Sequence, residues 1–374
     1  MTINMRRVTK FALIIHRHLG VSSTMQNNKM IELNANENSL GMSDSAKKAI
    51  MESLSEGFRY PDHPRAALIS KIATMHGVSE NQISLGNGST ENIRATIQML
   101  QNKAFIEGRQ FQMVIPVPTF DCAEMYANSI GASVVKIPLT AKNYDLDLQN
   151  LQKAADEFDG ISLLYLCNPN NPTGTITSTQ KLKTWISNAP DNHYFLLDQA
   201  YLEYVTDPSF ESGIEWVKQG LSDNLIVIHT FSKLCALAGM RVGYAISNPQ
   251  AITAIEGFMS MDNTNLSGAV AAIATLNDAA FLELSLRTTN QSRQMIEAVL
   301  DELGLRYLPS QTNFIFHEIK GDLKTYIDRM RDNGIKVGRK FPPVEGFNRL
   351  SLGTPAEMEV FIKVLRSFRQ KGWV

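Results

Sequence analysis

Apolar positions along the chain follow two different periods. Between about residues 80 and 245, short β-branched or apolar runs recur: ISLG from Ile83, QMVIPV from Gln112, SVVKIPL from Ser133, ISLLYLCN from Ile161, YFLLDQA from Tyr194 and LIVIHT from Leu225. Near-continuous apolar runs of this length mark strands covered on both faces. Between them, segments such as ENIRATIQMLQ from Glu91 and LKTWISNA from Leu182 place apolar residues at helical spacing. The alternation predicts an α/β fold with a mostly parallel, doubly covered sheet, in which a ligand sits at the carboxyl ends of the strands.

After residue 265 the helical period dominates, with a long amphipathic stretch, ELSLRTTNQSRQMIEAVLDELG, starting at Glu283. Strand-like TNFIFHEI, helix-like LKTYIDRMRDNG, IKVGRK, NRLSLGT and a last helix, PAEMEVFIKVLRSFRQ, follow. That order predicts a second, smaller α+β lobe. The expected division is an N-terminal arm with part of the small domain over 1–55, a large domain over 56–265 and a C-terminal small domain over 266–374.

Composition narrows the function classes. The 374 residues are 44% hydrophobic and 20% charged, with a formal net charge of −1. Such near-neutrality argues against a nucleic-acid or anionic-membrane partner. Cys122, Cys167 and Cys235 are far apart and show no CxxC or zinc spacing, which suits a reducing, cytoplasmic setting. Cys235 reads as a small core residue. No run of about 18 apolar residues suggests a membrane span. At the N-terminus Arg6 and Arg7 precede FALII, too short an apolar run for an export signal, so the segment reads as a poorly ordered arm or a remnant.

Chemistry-bearing residues collect just past the predicted strands. GNGSTENI from Gly86 offers two glycines, then Ser89, Thr90 and a helix N-terminus, a combination suited to a phosphate. Its spacing is neither GxGxxG nor a Walker loop. Phe120, after Pro118 and Thr119, could stack on a planar ligand. CNPNNPTG, from Cys167 to Gly174, is a rigid turn with several amide side chains. Asp198 closes an apolar run and Tyr201 follows three residues on. TFSKLCALAGMRVGY, from Thr230, holds Lys233 at the edge of an apolar run and Arg241 eight residues later. Lys233 either keeps its head in water over an apolar stem or is an amine whose burial lowers its pKa. A ligand with a phosphate, a planar ring, a basic ring nitrogen and a carbonyl would use all of these groups. Pyridoxal 5'-phosphate has that chemistry, with Lys233 forming the Schiff base and Asp198 pairing with the pyridinium nitrogen.

These stretches, with LNANENSLG from Leu33, FRYPDHP from Phe58, DQAYLEY and RLSLGT from Arg349, resemble the fold-type I pyridoxal-phosphate aminotransferases. Within them the chain is most similar to the histidinol-phosphate aminotransferase group, over nearly everything after residue 30. The resemblance implies a large domain built on a mostly parallel seven-stranded sheet and a smaller α+β domain. It implies that Lys233 binds the cofactor covalently and shuttles protons, and that Asp198 keeps the ring nitrogen protonated. Asn171 and Tyr201 would hydrogen-bond the ring oxygen, and Phe120 would stack. Gly88, Ser89, Thr90, Thr230, Ser232 and Arg241 would hold the phosphate. Tyr60 would reach the phosphate of a neighbouring subunit, making a homodimer with shared sites. Arg349 would bind the substrate carboxylate, with Asn36 nearby.

The group usually carries an N-terminal tyrosine, whereas the first tyrosine here is Tyr60. Where the group commonly reads V-R-D, this chain reads VGRKFPP from Val337. Arg339 and Lys340 would hold an anionic side chain there, or be solvated, or the loop would serve an aromatic or other amino acid. Transamination between L-histidinol phosphate and 2-oxoglutarate is the leading expectation. A decarboxylase or lyase on the same scaffold, and a non-catalytic binding protein, are the alternatives.

Overall fold

A computed structural model describes residues 30–374; the N-terminal arm singled out above lies outside the described residues. The short strand β1 (Ile31–Leu33) leads into β2 (Ile83–Asn87), β3 (Gln110–Val117), β4 (Ser133–Pro138), β5 (Gly160–Cys167), β6 (His193–Asp198), β7 (Leu225–Thr230) and β8 (Val242–Ile246). Strands β2 to β8 form one seven-stranded sheet in the order β2-β8-β7-β6-β5-β3-β4. Its pairs are parallel except for those of β8, which runs against both β2 and β7.

The period-2 rule explains why the central strands are apolar throughout. Leu164 and Leu166 of β5, Phe195 and Leu197 of β6 and Val227 of β7 face one hydrophobic cluster. Leu163 and Tyr165, Leu196, and Ile226 and Ile228 of the same strands face a second cluster. Side chains alternate across a strand, so a sheet sandwiched between two apolar layers leaves no polar face.

The remaining strands are β9 (Phe314–Glu318), β10 (Ile335–Val337) and β11 (Phe347–Ser351). β11 pairs antiparallel with β9, and β1 pairs in parallel with β10. The helices Ala279–Leu303 and Pro355–Gln370 bury Ile296, Val299, Leu300, Met358, Phe361 and Leu365 in a third apolar cluster with Leu33 and Leu350. The final helix is well delimited in sequence: Thr354 and Glu357 form a reciprocal capping box, with Pro355 in the first turn.

The predicted strands and helices all form. The pattern missed β8, which follows Arg241 without a turn signal. Among the described residues no single helix is long and apolar enough to cross a membrane.

Candidate active site

The carboxyl ends of β2, β3, β5, β6 and β7 converge on a cavity of about 430 Å³. Reversal of β8 completes the rim. Thr230 pairs with Gly243, so residues 231–241 leave β7 and return to the same sheet edge. On the other flank Asn87 pairs with Val242, which sets Gly88 beside Arg241.

The cavity wall includes Asn36, Ser89, Thr90, Phe120, Asn171, Asp198, Tyr201, Thr230, Ser232, Lys233, Arg241, Arg339 and Arg349. Of the residues singled out in the sequence, Gly88 lies directly behind Arg241 and Tyr60 stands apart, 78% exposed. Lys340 is exposed and outside the wall. Asn34, Asp121, Cys167 and Phe341 line the cavity without having been singled out for it.

Each polar group has an identifiable local support. Asp198 is buried; the Tyr165 hydroxyl donates to its Oδ2 at 2.7 Å and the Ala200 N–H to its Oδ1 at 3.0 Å. Burial pushes its pKa up, and those two hydrogen bonds and Lys233 oppose the rise. Lys233 Nζ donates to the Asn36 carbonyl at 3.2 Å. Burial, and then Arg349, lower its pKa to about 8. Lys233 is half-buried and lines the cavity. The Tyr201 hydroxyl accepts from Asn36 Nδ2 at 3.0 Å and Asn171 Nδ2 at 3.4 Å, and burial raises its pKa.

Arg349, on β11, reaches across to the large sheet. Its Nη1 donates to Asn171 Oδ1 at 2.7 Å and its Nη2 to the Asn34 carbonyl at 2.6 Å. Its Nε is buried without a partner. Burial lowers the guanidinium pKa to about 10. Both Nη groups bond neutral oxygens and the residue lines the cavity, so its charge favours an anion there. Arg339 is more exposed; it pairs with Asp121 and lies 4.4 Å over the Phe341 ring.

The glycine-rich turn forms a cradle. Gly88 precedes the helix Ser89–Ile106 at φ +71°, with no side-chain cap. A Cβ there would come within 2.3 Å of Arg241 Nη2, so only glycine lets the guanidinium lie against the turn. Arg241 itself holds φ +53°, uncommon for a residue with a side chain. Its Nη2 donates to the Asn87 carbonyl at 3.4 Å and to Thr90 Oγ1 at 3.3 Å. The Thr230 hydroxyl donates to that of Ser232 at 2.8 Å, and both residues line the same cavity. Uncapped helix N–H groups, hydroxyls and one arginine together suit a phosphate.

Cys235 is buried in the core, as its surroundings in the sequence suggest, and all three cysteines are free thiols.

The family described as aminotransferase class I and II matches residues 28–365. The chain belongs to that family and is an aminotransferase. It is 36% identical over 341 residues to a histidinol-phosphate aminotransferase of Bacillus licheniformis, covering 90% of this chain and 91% of that protein. It is also 39% identical to a protein of known crystal structure from Erwinia carotovora atroseptica, with a TM-score of 0.88 over 95% of this chain and 100% of that one. A histidinol-phosphate aminotransferase from Sinorhizobium meliloti, crystallised with pyridoxal-5'-phosphate, shares the fold at 24% identity and a TM-score of 0.82, covering 94% and 99% of the two chains.

Proposed function

We propose that the chain is a pyridoxal 5'-phosphate-dependent aminotransferase whose amino donor is L-histidinol phosphate and whose acceptor is 2-oxoglutarate. The observation that carries this reading is the pairing, in one cavity, of the glycine-arginine cradle with the half-buried Lys233 and the buried Asp198. The cradle fits a phosphate, and a Cβ at Gly88 would spoil it. Asp198, in the same cavity, fits a basic ring nitrogen. When bound, the cofactor supplies an aldehyde that amines attack and a ring that accepts the electrons of a broken C–H bond.

The chain's own residues account for the rest. Lys233 Nζ, with its pKa lowered to about 8, can be neutral and so act as a nucleophile and as a base. Its Nζ would take the proton from the substrate carbon that bears the nitrogen and hold it. The Asp198 carboxylate favours a protonated nitrogen beside it. Tyr201 and Asn171 orient a ring oxygen, and Phe120 supports the ring plane. Arg349 takes the substrate anion, whether a carboxylate or the phosphate of an amino alcohol. Asn36 positions both Lys233, through its carbonyl, and Tyr201, through its amide.

Lys233 also gives a pH signature. Recombination of the cofactor-free protein with pyridoxal phosphate should accelerate about tenfold per pH unit up to about pH 8 and then level off. The sign follows from the lowered pKa: below it the amine is protonated and unreactive. A stopped-flow profile still climbing at pH 10 would contradict the assignment.

The two-lobe division at about residues 55 and 265 draws support from the separate apolar cluster of the C-terminal part, and β1 draws the start of the chain to that part through β10. A homodimer with shared sites draws support from Met51, Leu54, Phe58 and Tyr60, all exposed and close in sequence. Tyr60 would then serve the partner's phosphate. Three free thiols suit a cytoplasmic protein.

A second reading, an aromatic amino acid as donor, is favoured by Phe120 and Phe341 in the wall and by Arg339 being already paired with Asp121. A donor panel with 2-oxoglutarate as acceptor, read by glutamate formation, separates the two. The first reading expects kcat/KM for histidinol phosphate to exceed that of any amino acid at least tenfold. No glutamate from histidinol phosphate would remove it. Release of CO2 or of a cleaved fragment would instead mark a decarboxylase or lyase.

A further inference from the structure

Behind the cradle lies a buried carboxylate that the chemistry above does not use. Glu91 sits in the first turn of the helix Ser89–Ile106, 6% exposed. Its Oε2 accepts from the Asn87 N–H at 2.7 Å and from Asn263 Nδ2 at 3.0 Å. Its Oε1 accepts from the Ser260 N–H at 3.2 Å and from Arg94 Nη2 at 3.4 Å. Asn263 is itself buried and fully specified. Its amide also donates to the Leu85 carbonyl at 2.8 Å, and its Oδ1 accepts from Arg65 Nη2 at 3.2 Å. Arg65 lies in the first turn of the helix Asp62–His76, which begins two residues after Tyr60.

Asn87 is therefore held on both sides. Glu91 takes its N–H, and Arg241 donates to its carbonyl. Asn87 precedes Gly88, which holds φ +71° and leads into Ser89 and Thr90 of the cavity wall. We propose that Glu91 is a positioning residue for the phosphate cradle, setting through Asn87 the turn on which Arg241 rests. Through Asn263 it also ties that turn to Arg65 and the segment carrying Tyr60. This inference rests on the cradle being the cofactor's phosphate site.

The chemistry of the side chain makes the role testable. Each carboxylate oxygen meets two donors, so a glutamine would set its NH2 against two of them whichever way it turned. One half of the network must then break, and the turn is released. Removing a negative charge from beneath a phosphate site would, by itself, tighten phosphate binding. A positioning role predicts the opposite sign.

The experiment is a spectrophotometric titration of the cofactor-free full-length protein with pyridoxal phosphate and, in parallel, with pyridoxal, which lacks the phosphate. Inorganic phosphate serves as a competitor. Glu91→Gln should raise the Kd for pyridoxal phosphate by about tenfold or more, the usual effect of losing a hydrogen bond to a charged group. It should weaken phosphate competition in parallel and leave the Kd for pyridoxal within about twofold. Unchanged or tighter pyridoxal phosphate binding, or an equal loss for both ligands, overturns the proposal. Should Glu91→Gln fail to fold, Arg65→Gln at the half-buried far end tests the same chain. It should weaken pyridoxal phosphate and not pyridoxal, and equal effects on the two again overturn the proposal. If the unsubstituted protein itself fails to prefer pyridoxal phosphate over pyridoxal, it is the cradle assignment that falls.

Discussion

Replacement of Lys233 by alanine is expected to reduce transamination by at least about 10⁴-fold, because nucleophile and proton carrier disappear together. The fold should survive. Lys233 makes one hydrogen bond, to the Asn36 carbonyl, and its burial already costs the protein something: the pKa is lowered to about 8 from the ordinary lysine range. The sign of the linkage follows. The unfolded chain binds this proton more tightly, so the native amine weakens stability at neutral pH and the deficit vanishes as pH rises above the unfolded pKa. Lys233→Ala should thus melt at the same temperature as the parent or higher, while losing the covalent bond to the cofactor. Mass spectrometry after borohydride reduction reads that bond, and retention of a cofactor adduct with turnover would refute the assignment.

Asp198 carries the second large effect, and here activity and stability separate in a different way. Asp198→Ala removes the carboxylate proposed to face the ring nitrogen and also strands the buried Tyr165 hydroxyl, which has Asp198 as its partner. The rate should fall by roughly 10²–10³-fold, as when a single preorganised electrostatic group is lost. Stability should fall by about 1–3 kcal/mol, the usual penalty for an unsatisfied buried polar group. Asp198→Asn can keep the Ala200 N–H on its oxygen while its NH2 donates to the Tyr165 hydroxyl oxygen, and should recover most of the stability without the rate. A near-normal kcat in either variant would mean that Asp198 is a structural residue only.

Much of this was legible in the chain because the site is assembled from strand ends. Asp198, Asn171, Phe120 and Lys233 each follow a buried apolar run, and a parallel sheet gathers such positions at one edge. What escaped has physical causes. β8 was missed because VGYAI starts straight after Arg241 and carries Gly243, which reads as loop. In space that glycine is required, since a Cβ would come within 2.3 Å of the Ser89 nitrogen. Tyr165 sits inside an apolar strand and looks like core until its hydroxyl is seen on Asp198. Asp121 and Arg339 are 218 positions apart, and nothing local announces that they meet. Glu91 reads as an ordinary first-turn acid; only the folded loop at Ser260 and Asn263 shows what it gathers.

The backward course of β8 has a further effect. Lys233 and Arg241 belong to one loop whose two feet are clamped by the pairing of Thr230 with Gly243. The backbone positions from which Lys233 and Arg241 extend are thus set by strand register. Lengthening or trimming residues 234–240 by even one position is expected to shift Arg241 against Lys233 and so alter the size of molecule that both could touch in the cavity they line.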